Sequence, residues 1–171
     1  TIQRNEALLR QFIDESVFGI VIINEQGKII KWNRAQEQIF GYKSSEVLGK
    51  PAWESFFMIT PLRYRTLNSK KEFKSFVKKA LKTGKGSWIK KLLDYETVDA
   101  HGNKKYIQQV IFPIKTEKGY LLGSICRDVT ELKEIELKLK KSEKKYREAY
   151  QQITFYKNLL AHDFANIIGV I

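Results

Sequence analysis

A chain of 171 residues with 43% hydrophobic and 12% aromatic side chains can build one domain with a real core plus an appendage, which excludes a disordered or fibrous polymer. No apolar run approaches the ~20 residues of a membrane-spanning helix and the first residues lack a signal-peptide core, so a soluble chain that spans no membrane is expected. The formal net charge of +12 is local: residues 61–91 hold eleven Lys or Arg against Glu72 alone, whereas residues 131–171 hold eight against six acids. The single cysteine, Cys126, sits in an apolar run without a partner in the chain. This points to a reducing compartment, by default the cytoplasm.

In chain order, Ala7, Leu8, Phe12 and Ile13 space a three-turn helix over residues 3–14, expected to pack as a cap on the next elements. Residues 19–24 are a β-branched run, Glu25-Gln26-Gly27 a turn and residues 28–32 a second strand, together a hairpin. Asn33 is a preferred helix N-cap with Gln36 three residues on; Ala35, Ile39 and Phe40 form the buried stripe and Gly41 ends the helix. Residues 44–48 read as one helical turn closed by Gly49, and residues 51–70 as irregular, with no element assigned to Phe56-Phe57-Met58-Ile59. Over residues 71–82 an amphipathic helix sets Lys74, Lys78 and Lys82, in line with Lys70, opposite Phe73, Phe76, Val77, Ala80 and Leu81. No base-reading element comes after it, so the basic stripe reads as a solvated face in preference to an anion-binding or membrane-surface one, and no nucleic-acid partner is expected. Three alternating stretches come next, residues 88–98, 106–114 and 120–127. The loop Asp99-Ala100-His101-Gly102-Asn103 joins the first two and makes His101 a turn residue.

This order predicts an α+β design, a five-stranded antiparallel sheet with helices on one face. Residues 27–49, reading GKIIKWNRAQEQIFGYKSSEVLG, resemble the first half of a PAS sensor domain, and residues 119–130, ending Arg127-Asp128-Val129-Thr130, resemble its last strand and exit motif. The resemblance covers residues 15–130. It implies a sensor, and its best-known cofactors fit poorly: haem-binding members use a histidine on the long helix, absent from residues 71–82, and flavin-photoactive members need a cysteine between the hairpins. Neither haem nor flavin is expected, and no metal site is assigned. A small apolar or weakly polar ligand could lie between sheet and helices against Ile22, Phe40, Phe76, Ile111 and Ile125, although filling a core explains those residues first.

Beyond the sheet, Asp128 with Glu131 three positions on reads as a helix start, and Asp128, Thr130 and Glu131 are expected to couple sensor to helix. No Gly or Pro occurs after it until Gly169. Leu132, Ile135, Leu139, Ser142, Tyr146, Ala149, Ile153, Tyr156 and Leu160 keep the 3,4 spacing of a parallel two-stranded coiled coil, with Ser142 and Ala149 its weak positions. From Leu160 the apolar pattern steps four residues to Phe164, a stutter that locally unwinds a supercoil. Phe164, Ile167, Ile168 and Ile171 continue the stripe while His162 and Asn166, one turn apart, point away from it.

The run His162-Asp163-x-x-Asn166 resembles the phosphoacceptor box of sensor histidine kinases, with Ile167 where many members carry proline. That resemblance implies that His162 takes the γ-phosphate of ATP, that Asp163 accepts or orients the ring proton, and that Asn166 positions water in the reverse phosphatase reaction. The residue types suit the chemistry, since a neutral imidazole nitrogen is nucleophilic near pH 7 and a carboxylate beside it selects the tautomer. The organisation so predicted is a capping helix (1–16), a PAS domain (17–130), a coiled-coil linker (131–158) and the start of a phosphoacceptor helix (159–171). Its expected partners are a second copy through the C-terminal helix, an ATP-binding kinase domain and a response-regulator receiver domain. With no phosphate-binding loop in these residues, the chain alone is expected to be inactive. The alternative is a non-catalytic PAS dimerisation or ligand-binding module coupled to another output.

Overall fold

The computed structural model describes residues 2–169, so Ile171, the last residue of the predicted apolar stripe, lies outside the described residues. Two compact units are present, residues 1–130 and residues 131–171. The first opens with α1 (Ile2–Asp14) and holds β1 (Gly19–Ile23), β2 (Ile29–Trp32), α2 (Arg34–Phe40), α3 (Ser44–Val47), α4 (Ala52–Ile59), α5 (Leu67–Thr83), β3 (Leu92–Val98), β4 (Lys104–Thr116) and β5 (Gly119–Asp128). The strands form the single five-stranded antiparallel sheet that the sequence predicts, and pairing sets their order as β2-β1-β5-β4-β3.

Asn33 joins the first hairpin to α2. Its Oδ1 accepts from Ile20 N at 2.8 Å and from Gln36 N at 3.2 Å, while its Nδ2 donates to the carbonyls of Ile13 at 2.8 Å and Phe18 at 2.9 Å. The predicted N-cap is therefore real, but Gln36 does not return the bond as a capping box would: its side chain is buried and its Nε2 reaches Cys126 Sγ at 3.5 Å. Helix α2 ends at Gly41 in the left-handed region, φ +76°, where a side chain would be strained.

Several elements depart from expectation, among them α5, which begins at Leu67 and not at residue 71. Residues 52–59, expected to be irregular, are helix α4, because Pro51 precedes it with a φ of −60° and its apolar residues Ala52 and Ile59 bury inward. Helix α1 buries none of its residues; only its last turn is tied down, by Ile13 O and by the Asp14–Lys31 ion pair at 2.8 Å, so it does not cap the core. Strand β3 begins at Leu92 instead of residue 88, because residues 84–91 are held as a loop, with Lys90 N bonded to Ile111 O at 2.7 Å. The core lies between the inner sheet face and the helices, built from Val21, Ile29, Trp32, Phe40, Val77, Ile107 and Leu122 among others.

Cys126, 2% exposed, belongs to that core, and burial foremost pushes its thiol up to about 12. The thiolate is the reactive form, so the folded protein at pH 8 is expected to stay unlabelled by a disulfide reagent and to react stoichiometrically in urea. Labelling of the native protein at the rate of the unfolded chain would show that this strand opens.

The second unit is helical, with helix α6 (Thr130–Ile168) running 39 residues. Its surface carries Lys133–Glu136, Lys140–Glu136 and Lys144–Glu148 ion pairs at three- and four-residue spacing. Among the described residues the predicted seam side chains Leu132, Ile135, Leu139, Tyr146, Ile153, Tyr156 and Leu160 are all more than half exposed.

Candidate functional site

Two places carry chemistry, one in each unit. The first is a cavity of about 550 Å³ between the sheet, α4 and α5. Its walls are aromatic: Trp53, Phe56, Phe73, Phe76 and Trp88 line it, Phe76 and Trp88 with ring centroids 4.3 Å apart and Phe56 edge-on to Phe73 at 5.2 Å. Across its floor three adjacent strands place one polar side chain each. Tyr95 of β3 donates its hydroxyl to Gln109 Oε1 of β4 at 2.7 Å, and Gln109 Nε2 donates to Ser124 Oγ of β5. Burial pushes the Tyr95 phenol far above its ordinary range, with the nearby Cys126 thiol adding to the effect, so it remains a neutral donor. At the rim Glu96 is held below the usual carboxylate range, first by its hydrogen bond from Lys104 and further by Arg63, which it meets at 2.7 and 2.6 Å.

Of the five residues expected to line a pocket, Phe76 and Ile111 do. Phe40 is buried beside Trp32, at 5.8 Å between ring centroids, away from the cavity. Ile22 and Ile125 belong to the opposite face of the sheet. Val21 and Ile23 are the inward residues of β1, and Ile125, 41% exposed, is followed by inward Cys126. Period-two alternation forbids Ile22 from sharing the face of its two neighbours. Sequence reasoning missed the line Tyr95, Gln109 and Ser124, although a signal exists: Gln109 interrupts the inward parity of Ile107 and Ile111 with a polar group.

The second place is on α6. Asn166 Nδ2 stands 3.2 Å from His162 Nδ1 and 3.4 Å from its Nε2, and Asp163 Oδ1 is 3.5 Å from Nδ1. The His162 side chain is 71% exposed and that of Asp163 60%. The one-turn spacing predicted for histidine and asparagine thus brings the amide against the ring, and the imidazole is reachable from solution. Ser142 and Ala149 are exposed residues further up the helix.

Where the sheet passes into that helix, Asp128 Oδ1 accepts from the N–H and hydroxyl of Thr130, and its Oδ2 accepts from Lys105 Nζ at 2.8 Å. Thr130 Oγ1 in turn accepts from Tyr106 N at 2.9 Å, and Val129 N donates to Tyr106 O at 2.8 Å. Partial burial opposes the charge on Asp128, but the bonds from Lys105 and Thr130 outweigh it and keep the carboxyl below its ordinary range. The helix starts at Thr130, and Asp128 ends the strand; it binds the amide two residues on and makes no capping box with Glu131, which lies in the first turn.

A family model described as PAS domain matches residues 17–131. The chain belongs to the PAS domain family. Among solved structures it is similar to the PAS domain of a Colwellia psychrerythraea protein, at 22% identity and TM-score 0.54, covering 77% of this chain and 99% of that one. It is also similar to the PAS domain of BvgS from Bordetella pertussis, at 19% identity and TM-score 0.57, covering 82% and 98%. The PAS domain of the fruit-fly ELK potassium channel is another, at 18% identity and TM-score 0.53, covering 74% and 97%. An uncharacterized protein of Azorhizobium caulinodans is 25% identical over 127 residues, which are 74% of this chain and 16% of that protein. The chain therefore spans a small part of the length of the curated relative it matches. Among the described residues no helix is long and apolar enough to cross a membrane.

Proposed function

We propose that this PAS domain is the sensory part, and α6 the phosphoacceptor part, of a sensor histidine kinase in which His162 is autophosphorylated. The observation that carries the reading is the exposed His162 with the Asn166 amide at 3.2 Å, on the helix that the Asp128–Thr130 exit begins. An exposed ring nitrogen can attack the terminal phosphate of ATP delivered by a separate ATP-binding domain, Asp163 holds the imidazole proton, and Asn166 orients water for dephosphorylation. Two chains pair along Leu132, Ile135, Leu139 and the rest of the seam, whose exposed apolar side chains need a cover. A receiver domain then takes the phosphoryl group from His162. The input is a small, mostly apolar ligand in the aromatic cavity, hydrogen-bonded at the Tyr95, Gln109 and Ser124 line.

The test is phosphorylation of the full-length protein with labelled ATP. Acid-labile, base-stable label should appear in the wild type and fall to background in His162→Gln, while the two proteins give the same circular dichroism and the same dimer mass. Label that persists in His162→Gln would leave a PAS module with some other output.

A further inference from the structure

The exposed face of α5 is chemically unlike the rest of the domain. Lys71, Lys74, Lys78, Lys79 and Lys82 project from it around Ser75, and together they line one shallow groove. Three lysines of the sheet are by contrast neutralised: Lys31 by Asp14 at 2.8 Å, Lys104 by Glu96 at 2.7 Å and Lys105 by Asp128 at 2.8 Å. Among the described residues none of those five α5 lysines has a carboxylate partner, and Glu72, the one acid of the helix, is bonded to Asn68 at 2.7 Å instead. A face kept only for solubility would carry alternating signs, as α6 does.

Apolar side chains adjoin this charge. Leu67, 80% exposed, stands at i, i+4, i+7 and i+11 with Lys71, Lys74 and Lys78, so it shares their stripe. Leu62, in the 3-10 turn just before, is 79% exposed, and Tyr64 is 55% exposed.

We infer that the lysine face of α5, with Leu67 and Leu62 at its start, is a docking surface for an anionic phospholipid bilayer. Lysine ammoniums are compact point charges suited to a diffuse layer of headgroups, whereas arginine, the side chain that grips nucleic-acid phosphates and guanine edges in a bidentate way, is absent from α5, and Arg63 and Arg65 just before it are bonded to Glu96 and to the carbonyls of Met58 and Thr60. Exposed leucines at the end of a basic stripe gain by entering the headgroup–acyl boundary and gain nothing on a nucleic-acid backbone. The attachment is peripheral and reversible, since five charges and two leucines amount to no anchor. It needs nothing from His162.

Sedimentation of the whole chain with phosphatidylcholine vesicles, with and without phosphatidylserine, tests this. Binding is expected on the acidic vesicles only, weakening as salt shortens the Debye length. Lys71→Glu/Lys78→Glu/Lys82→Glu should lose roughly tenfold or more of it, and Leu67→Gln several-fold, each with unchanged circular dichroism. Failure to bind acidic vesicles at low salt, equal binding by either variant, or tighter binding to a DNA duplex than to acidic vesicles at matched ionic strength would overturn the assignment.

Discussion

Asn33→Ala should destabilise the PAS domain by roughly 3–5 kcal/mol, the largest loss expected from any single polar substitution in it. Asn33 is 1% exposed and satisfies four backbone groups from four places: Ile20 of β1, Gln36 of α2, Phe18 just before β1, and Ile13 in the last turn of α1. Alanine leaves two N–H groups and two carbonyls without partners where water has little access, each worth ~1 kcal/mol or more. Asn33→Asp separates the two halves of this role. It keeps both acceptor bonds and the N-cap, but removes both donors and turns a carboxylate toward the carbonyls of Ile13 and Phe18, so it should also be strongly destabilising near neutral pH. The measurement is urea unfolding, in which the midpoint falls while the denaturant slope stays unchanged. A loss below about 1 kcal/mol for Asn33→Ala would mean that solvent already reaches these groups.

Asn33 also shows why much of this fold is legible in the sequence. An N-cap, a turn glycine and a β-branched run are local signals, and each local preference here agrees with the tertiary answer. The first hairpin, α2 with Gly41, the Gly49 stop and the last two strands are readable on that basis, and so is the presence of α5 and β3 though not where each begins. Helix α4 is not, because Trp53, Phe56, Phe57 and Ile59 crowd apolar groups on several sides and blur the helical period, and because its role is to roof a cavity instead of to bury one stripe. The cavity lining is half legible for a related reason. Strands β1 and β5 carry apolar residues on both faces, Ile20 and Ile22 against Val21 and Ile23, and Leu121 and Ile125 against Leu122 and Cys126. Hydrophobicity alone cannot tell the inner face from the outer in such strands; only the register fixed by pairing with β4, Ile111 opposite Ser124 and Val110 opposite Ile125, decides. The histidine cluster is legible because one helical turn, four residues, is all that its geometry requires.

If α6 transmits signal as a rod, its rotational phase is what matters, and inserting residues into it should separate phase from length. In the full-length protein, one extra residue after Ser142 turns everything beyond it by ~100° while lengthening the helix by only ~1.5 Å. Seven residues lengthen it by ~10 Å yet return the phase to within about 20°. The exit is a stiff starting point for such a rod: Asp128, Thr130 and Tyr106 tie the first turn of α6 to β4, whose inner side supplies Gln109 and Ile111 to the cavity. Movement of β4 around a ligand would therefore be handed to the helix start through Tyr106. With His162 as the phosphoacceptor proposed above, the single-residue insertion is expected to shift the ratio of autophosphorylation to dephosphorylation by on the order of tenfold to a hundredfold, the range of an ordinary allosteric coupling. The seven-residue insertion should stay close to wild type. Rates of phosphate gain and loss at His162, followed with labelled ATP, check both. In the proposed two-helix pairing the seam between Leu139 and Tyr146 passes through Ser142, a polar residue and one of its two weak positions, so the insertion falls where re-pairing costs little. A larger change from seven residues than from one would mean that distance, not rotation, sets the output, and similar changes from both would mean that neither does and that the helix is a spacer between two independent parts.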